Sequence, residues 1–167
     1  WVSTTSLPGV RMGHKIVAYN GYMYVLGGHN GAGTWYNDVL YAPINSNGSL
    51  GSWSSTTSFS GVRSAHGAVA VNGYMYITGG EYNWFSNNQS DTQYAPIKAD
   101  GTLGSWTATT ALPAGRANMG MVSYNNSIYI IGGKSTAGVI NNQTLRANIN
   151  TDGSLSSLIN ETNLPAN

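Results

Sequence analysis

The fold is decided by residues 11–28, which read RMGHKIVAYNGYMYVLGG. The same order of residue types returns at residues 63–80 and again at residues 116–133. Three tryptophans repeat with the same interval: Trp1, Trp53 and Trp106. A period near 50 residues indicates a stack of like units, each of which buries its apolar surface against its neighbours.

The first half of a unit predicts two strands joined by a tight turn. Residues 15–19 are apolar with β-branched members, and residues 22–26 are apolar or aromatic at nearly every position. The Asn-Gly pair at residues 20–21 is typical of a type I′ hairpin, because both turn positions need positive φ. A strand that is apolar on both faces is expected in a sheet covered by a neighbour on each side. The glycine pair at residues 27–28 is expected to end the second strand.

The second half of the unit predicts two further strands. A polar loop over residues 29–36 leads to a third strand at residues 38–44. A fourth strand is predicted at about residues 50–56, and it carries Trp53. Four short antiparallel strands with tight turns form one blade of a propeller. We find no helix and no linker between units in the pattern.

This ordered set of residues resembles the kelch repeat. The features that carry the resemblance are Arg11-Met12-Gly13-His14, Gly27-Gly28, Tyr41, Trp53 and, one unit on, Leu112-Pro113. The resemblance covers the whole chain in three copies. The departures are Met119 for histidine, Leu158 for tryptophan and Phe59-Ser60 for Leu-Pro.

The resemblance implies an all-β fold, a β-propeller of kelch type with three four-stranded antiparallel blades. In that family the first strand of a blade is innermost and the tryptophan strand is outermost. We expect blades at approximately residues 11–57, 63–110 and 116–162, with residues 1–8 as the outer strand of a preceding blade. Residues 1–167 are then a single propeller segment.

Three blades are fewer than the four to eight of most propellers, and two interpretations stay open. Either two copies close a six-bladed ring around a two-fold axis, or the chain is a fragment of a six- or seven-bladed ring. Open apolar blade faces favour association of some kind. The outer-strand segment, which occurs at both ends of the chain, complicates the first interpretation.

The composition excludes several classes of function. Charged residues make up 8% of the chain, against about 25% in typical domains, and the net charge is +1. Lysines and arginines are scattered singly, so we expect no nucleic-acid partner. No apolar stretch reaches the ~20 residues of a membrane helix, so no membrane insertion is expected. The chain has no cysteine, and low charge without cysteine suggests a secreted or cell-surface protein.

The repeated arginines and histidines have two possible roles. The resemblance places Arg11, Arg63 and Arg116 near one mouth of the central channel, where guanidinium groups bind carboxylate or phosphate ligands. Alternatively, each arginine bonds backbone carbonyls and pins adjacent blades, and repetition in every unit favours this alternative. His14 and His66 share one repeat position, and we interpret them as structural rather than metal-binding.

The loops after the double glycines differ most between units. They span residues 29–36, 81–88 and 134–141, and variation on a repeated frame is typical of binding sites. The candidate ligand-binding residues in them are His29, Asn30, Trp35, Glu81, Tyr82, Trp84 and Phe85. Their aromatic rings offer flat surfaces for sugar rings or for a protein partner, or else they fold onto their own blade. Asp38 and Asp91 are interpreted as turn residues.

No catalytic motif is present in the sequence. It contains no nucleophile elbow, no phosphate-binding loop and no cluster of metal-ligand residues, so we predict no catalytic residues, no metal site and no cofactor. Kelch-type copper-radical oxidases need a cysteine joined to a tyrosine, and the chain has no cysteine. The sequence therefore predicts a non-enzymatic module that binds a protein or glycan. The alternatives are a structural self-assembly unit and a sugar-active enzyme that resembles the sialic-acid mutarotases.

Overall fold

The computed structural model describes residues 2–83 and 87–165, and these residues form β-strands without helices. The strands in chain order are β1 (Lys15–Tyr19), β2 (Tyr22–His29), β3 (Trp35–Pro43), β4 (Ser54–Thr56), β5 (Gly67–Val71), β6 (Tyr74–Thr78), β7 (Glu81–Tyr82), β8 (Asn87–Asn88), β9 (Thr92–Pro96), β10 (Thr107–Thr109), β11 (Arg116–Ala117), β12 (Gly120–Tyr124), β13 (Ser127–Ile131), β14 (Lys134–Ser135), β15 (Thr144–Asn148) and β16 (Ile159–Asn160).

Twelve of these strands form three four-stranded antiparallel sheets. Blade 1 has the order β1-β2-β3-β4, blade 2 has β5-β6-β9-β10, and blade 3 has β12-β13-β15-β16. Strands that follow one another within a blade are neighbours in its sheet, so each blade is a simple meander. Two short ribbons, β7-β8 and β11-β14, complete the pattern. The predicted all-β architecture with four-stranded blades is confirmed.

The hairpin turns lie where the sequence predicts them. Tyr19 pairs with Tyr22 across the first turn, and Asn20 has a φ of 46° while Gly21 has a φ of 78°. The third unit replaces Asn-Gly by Asn125-Asn126, and both asparagines take positive φ. Asparagine tolerates this left-handed region better than most residues do, so the drifted sequence keeps the same turn.

The double glycine does not end the second strand of blade 1, contrary to the prediction. Strand β2 continues through residues 27–28 to His29, which pairs with Trp35, and a bulge lies between Leu26 and Gly28. Both glycines have positive φ, which lets the strand bulge and continue. The predicted polar loop therefore shrinks to residues 30–34. In blades 2 and 3 the corresponding strands do end before the glycine pair.

The fourth strands are shorter than predicted and exclude the tryptophans. Strand β4 begins at Ser54, and Leu50 forms only an isolated bridge to Ile44. The indole nitrogen of Trp53 donates to the carbonyl of Thr5, at 3.2 Å. Trp106 donates likewise to Thr57, at 2.8 Å. The tryptophans thus join one blade to the preceding outer segment.

The apolar core lies in layers between neighbouring blades. Between blades 1 and 2 the buried side chains are Tyr24, Leu26, Val39, Phe59, Met75, Ile77, Ala95 and Leu103. Between blades 2 and 3 they are Tyr76, Leu112, Met119, Ile128, Ile130, Leu145, Ala147, Ile149 and Leu155. Blade 2 has a neighbouring blade on each side and is covered on both faces, as expected for a stack of units.

Hydrogen bonds repeat from one blade boundary to the next. The hydroxyl of Tyr24 in blade 1 donates to the carbonyl of Gly101 in blade 2, at 2.9 Å. The hydroxyl of Tyr76 in blade 2 donates to Gly153 in blade 3, at 2.8 Å. The two boundaries are therefore built alike.

The outer ends of the blades repeat a second set of contacts. The hydroxyl of Thr57 donates to the carbonyl of Leu103, at 2.8 Å. One unit earlier, Thr5 donates to Leu50 in the same way, at 2.6 Å. Blade 1 thus receives residues 4–5 as blade 2 receives residues 56–57.

Candidate functional site

The residue after each double glycine lies at the same position of its blade. Each forms an antiparallel bridge to the segment that enters the blade: Met12 with His29, Ser64 with Glu81, and Ala117 with Lys134. His29, Glu81 and Lys134 are therefore equivalent in position, although the residue type differs in each unit. The side chains at this position carry an imidazole, a carboxylate and an ammonium group in the three units. Because their chemistry differs, the sequence alone does not show that the positions correspond. The candidate loops begin from these three residues, at one end of the blades.

Three of the predicted contact residues meet across the boundary between blades 1 and 2. The rings of His29 and Trp35 lie 4.7 Å apart between centroids. The rings of Trp35 and of Tyr82 from blade 2 lie 5.5 Å apart between centroids, with their planes at 77°. We call His29, Trp35 and Tyr82 the aromatic cluster. Trp84 and Phe85, which the sequence also predicts as contacts, lie outside the described residues.

The aromatic cluster is buried at one end and partly exposed at the other. His29 is buried, whereas Tyr82 is 41% exposed. The backbone nitrogen of Gly31 donates to His29 Nδ1, at 3.1 Å. Asn30 accepts from the backbone nitrogens of Ala32 and Thr34, at 2.9 and 3.0 Å. Asn30 thus shapes the loop that supports the cluster.

The repeated arginine of blade 2 is buried and fully engaged by the protein. Arg63 donates to the carbonyls of Gly79 and Ser60, each at 2.9 Å. It also makes a two-pronged ion pair with the carboxylate of Asp91, at 2.8 and 3.1 Å. Burial alone would raise the pKa of Asp91, but the hydrogen bond and charge of Arg63 outweigh it and hold that pKa below its usual value.

The other two arginines repeat this arrangement. Arg11 donates to the carbonyl of Gly27 and pairs with Asp38, at 2.6 and 2.8 Å. Arg116 donates to the carbonyl of Gly132, and Gln143 Oε1 accepts from it at 2.7 Å. The structure thus shows the arginines bonding backbone carbonyls, as the second alternative predicts. These repeated carbonyls belong to the arginine's own blade, however, so the bonds brace one blade and do not pin it to its neighbour.

The interpretation of Asp38 and Asp91 as turn residues is wrong, because each carboxylate pairs with the arginine of its own unit. The signal was present in the sequence. The arginine precedes its partner by 27, 28 and 27 residues in the three units. The third unit has glutamine in place of the carboxylate, so the spacing repeats although the residue type does not.

Of the two repeated histidines, His66 lies inside the blade stack and His14 is partly buried. His66 is fully buried beside Phe59, with ring centroids 5.9 Å apart. Burial, with the charge of Arg63 as a smaller cause, lowers the pKa of His66 to about 3. Burial also lowers the pKa of His14, helped by the charges of Arg11 and Lys15. Both imidazoles are therefore neutral packing residues at pH 7.

Glu81 is the buried acidic residue of the candidate loops. It is 6% exposed and lies opposite Asn88 in the β7-β8 ribbon. Burial raises the pKa of the Glu81 carboxyl, and the charge of Lys134 offsets part of that effect. Within residues 2–83 and 87–165, no three His, Asp or Glu side chains are grouped closely enough to hold a metal ion. The same residues contain no helix that is long and apolar enough to span a membrane.

Comparison with known proteins agrees with this geometry. The family profile described as the kelch motif matches residues 11–41. Kelch-like protein 41b of Danio rerio is 28% identical over 133 residues, which cover 80% of this chain and 20% of that protein. Kelch domain-containing protein 3 of Homo sapiens is 28% identical over 144 residues, covering 77% of this chain and 35% of that protein. The chain thus spans between a fifth and about a third of these relatives.

A solved structure shares the whole fold. The structure of YjhT superimposes with a TM-score of 0.76 and 17% sequence identity, covering 97% of this chain and 49% of the other. Similarity at that identity concerns the fold alone. The matching motif and the two relatives confirm the predicted resemblance to kelch-repeat proteins, and the shared architecture confirms a fold made of β-propeller blades.

Proposed function

We propose that this protein is a non-enzymatic binding module that recognises a protein or glycan through the aromatic cluster. The observation that carries the proposal is the meeting of Trp35 and Tyr82 across a blade boundary. The repeated frame holds these rings while the residues of the cluster themselves do not repeat. Rigid aromatic side chains on a fixed frame lose little conformational entropy on binding and supply large contact areas.

The acidic residues support a binding role rather than catalysis. Asp38 and Asp91 are paired with arginines. Asp100 and Asp152 accept from the residues two positions later in their turns. Glu161 pairs with Arg146, and Glu81 is buried. A general acid or base must reach a substrate, and these contacts commit the carboxylates to the frame.

The low charge and the lack of cysteine favour placing this module on a secreted or cell-surface protein. The propeller frame of kelch proteins suits such a role, because loops at one end vary while the blades keep their packing.

The test of the binding proposal uses alanine variants of the aromatic cluster. The wild type, Trp35→Ala and Tyr82→Ala are screened against an immobilised glycan array and a random-peptide phage library. Ile159→Ala is the control, because Ile159 is an exposed apolar residue on the outer strand of blade 3, away from the cluster. We expect ligands retained by the wild type and the control, with at least tenfold weaker binding by both cluster variants.

The class of probe that is retained names the ligand class as glycan or protein. The proposal fails if neither library yields a ligand, or if the ligands found bind Trp35→Ala and Tyr82→Ala as well as they bind the wild type.

A second function, self-assembly of the blades, is favoured by the outer faces of blades 1 and 3. Val122 and Tyr124 are 52% and 68% exposed. They occupy the register of Val69 and Val71, which pack towards blade 3. On the opposite side, Ile16 is 58% exposed. Side chains that are packed at the inner boundaries are therefore open at the outer ones.

The hydrogen-bonding groups of the two open faces are complementary. At each inner boundary a tyrosine hydroxyl donates to a turn glycine of the next blade. Among the described residues, Tyr129 of blade 3 has no such acceptor and Gly48 of blade 1 has no such donor. We propose that blade 3 of one copy packs on blade 1 of another, a head-to-tail contact that closes into a ring or extends as a chain.

Size measurement tests the assembly proposal. We expect light scattering to give at least twice the 17.6 kDa mass of the chain. Val122→Asp places a charge on the open face and should return the protein to monomers, while Val139→Asp, at an exposed loop position, should not. A wild type that stays monomeric at millimolar concentration rules the assembly out.

A further inference from the structure

Two buried side-chain oxygen atoms on opposed residues of the β7-β8 ribbon lack hydrogen-bond donors. Glu81 and Asn88 are directly opposed across this ribbon, so their side chains lie on the same face of it. Within the described residues, neither Glu81 Oε2 nor Asn88 Oδ1 has a hydrogen-bond partner, and both atoms are buried. Buried polar atoms without partners are rare, because each costs about 1–3 kcal/mol.

Rotation of the Asn88 amide cannot remove the conflict. Its nitrogen Nδ2 donates to the carbonyl of Lys134, at 2.8 Å, and a carbonyl accepts only from the nitrogen end of the amide. The oxygen is therefore held on the other side. The backbone nitrogen of Asn88 is also fixed, through a 3.2 Å bond to Thr136. Two acceptors on one face of the ribbon thus lack donors, and one hydrogen shared between them would satisfy both.

We propose that Glu81 is a neutral carboxylic acid in the folded protein and donates a hydrogen bond from Oε2 to Asn88 Oδ1. The proton comes from solvent when the ribbon closes, and it is released to solvent when the carboxyl ionises. A protonated carboxyl has one O–H donor, so one proton satisfies both orphaned oxygens. The buried site disfavours the charged form of Glu81, in agreement with the direction of its pKa.

The charged groups around Glu81 do not supply the missing donor. Arg63, on the segment bridged to Glu81, donates to Gly79, Ser60, Gly61 and Asp91. Arg116, on the next crossover, donates to Gly132 and Gln143. The charge of Lys134 on β14 acts on Glu81 and favours its ionised form. The effect of burial on the pKa of the Glu81 carboxyl is larger than that of Lys134, so the pKa is raised.

The bonded proton makes the β7-β8 ribbon a pH-dependent element. Strand β7 of the ribbon ends at Tyr82, a member of the aromatic cluster. A carboxyl whose pKa is raised on folding stabilises the closed ribbon fully at low pH. That stabilisation is lost as the pH rises from the ordinary value of 4.5 through the raised pKa. Regulation of ligand binding by this element rests on the proposed function, whereas the closure itself does not.

The experiment titrates Glu81 by carbon-13 NMR of its side-chain carboxyl. The chain has two glutamates, Glu81 and Glu161, so a Glu161→Gln variant leaves one glutamate signal. We expect a midpoint above 4.5, with the side-chain amide of Asn88 shifting along the same curve. A midpoint at or below 4.5, or an Asn88 amide that does not follow the titration, overturns the proposal.

Amide hydrogen exchange provides the second arm, and it needs no ligand. The reporting amides are those of Glu81 and Gln89, which bond to Ser64 and Gly80. After correction for intrinsic exchange, we expect about tenfold loss of protection per pH unit between 4.5 and the raised pKa. Glu81→Gln donates to Asn88 permanently and should show no such dependence, while Glu161→Gln should behave as the wild type. Equal pH dependence in Glu81→Gln and wild type overturns the proposal even if a ligand is found.

Discussion

Single residues that differ between repeats show which side chains the frame can exchange. His66 of blade 2 and Met119 of blade 3 occupy the same place. Each lies against the first glycine of the preceding blade's pair, where a Cβ on Gly27 would be 3.2 Å from His66 and one on Gly79 would be 2.4 Å from Met119. Methionine fills this gap without polar atoms, whereas both ring nitrogens of His66 lack partners among the described residues.

We therefore expect His66→Met to raise the free energy of unfolding at pH 7 by about 1–3 kcal/mol, the cost of a buried unsatisfied polar group. The wild type should also lose stability below pH 6.5, since the unfolded chain binds a proton there while the folded His66 stays neutral down to about 3. The loss is about 1.4 kcal/mol per pH unit. Urea unfolding at pH 7 and pH 5 measures both effects, and an unchanged pH slope in His66→Met would contradict the assignment.

The arginine partner provides a second exchange between units. Asp91 pairs with buried Arg63, but Gln143 serves the equivalent Arg116. Asp91→Ala should lower the free energy of unfolding by about 2 kcal/mol, because a buried guanidinium loses charged hydrogen bonds. Asp91→Gln should retain more than half of that stability. Thermal unfolding of both variants measures the two losses of stability. Equal losses would show that a glutamine at residue 91 does not bond Arg63 as Gln143 bonds Arg116.

At the scale of elements, the hairpins and blades were predictable and the ends of strands were not. Asn-Gly turns and apolar strands carry their own signals, so β1 and the start of β2 match the prediction. The bulge that extends β2 to His29, and the ribbon β7-β8, depend on hydrogen bonds to distant backbone. Such contacts leave no local pattern. His29, Trp35 and Tyr82 were each named from the sequence as candidate contacts, but their meeting across a blade boundary and the pairing of Asn88 with Glu81 required the structure.

The double glycines lie at the contacts between neighbouring blades. The nitrogen of Gly80 donates to the carbonyl of Arg116 in the next blade, at 2.8 Å. A Cβ at Gly79 would lie 2.4 Å from the carbonyl oxygen of Arg116, whereas nothing lies within 4 Å of a Cβ at Gly21. Both glycines have positive φ.

Gly21→Ala should therefore lower the free energy of unfolding by only about 1 kcal/mol, the cost of the backbone conformation. Gly79→Ala adds overpacking and should lower it by about 3 kcal/mol or more. Chemical denaturation of the two variants separates these terms. Similar losses of stability in both variants would mean that the blade boundary can accommodate a Cβ at residue 79. The close approach of the Arg116 carbonyl would then not explain the glycine at that position.

At the scale of the whole molecule, stability comes from boundaries between blades rather than from any blade alone. The apolar clusters lie between sheets, and the tyrosine hydroxyls cross the same boundaries. Units of this kind are stabilised by nearest-neighbour interfaces. A change at one boundary should therefore act there and leave the other boundary intact.

Three tyrosines in one repeat position turn this into a measurement. Tyr24→Phe and Tyr76→Phe each leave a turn carbonyl without its buried donor and should lower the free energy of unfolding by about 1–2 kcal/mol. Tyr129→Phe has no such acceptor among the described residues, so it should have little effect in a dilute monomer. If copies assemble through blades 3 and 1, Tyr129→Phe should become destabilising as protein concentration rises. Equal losses for all three variants at every concentration would contradict the assignment of the open face.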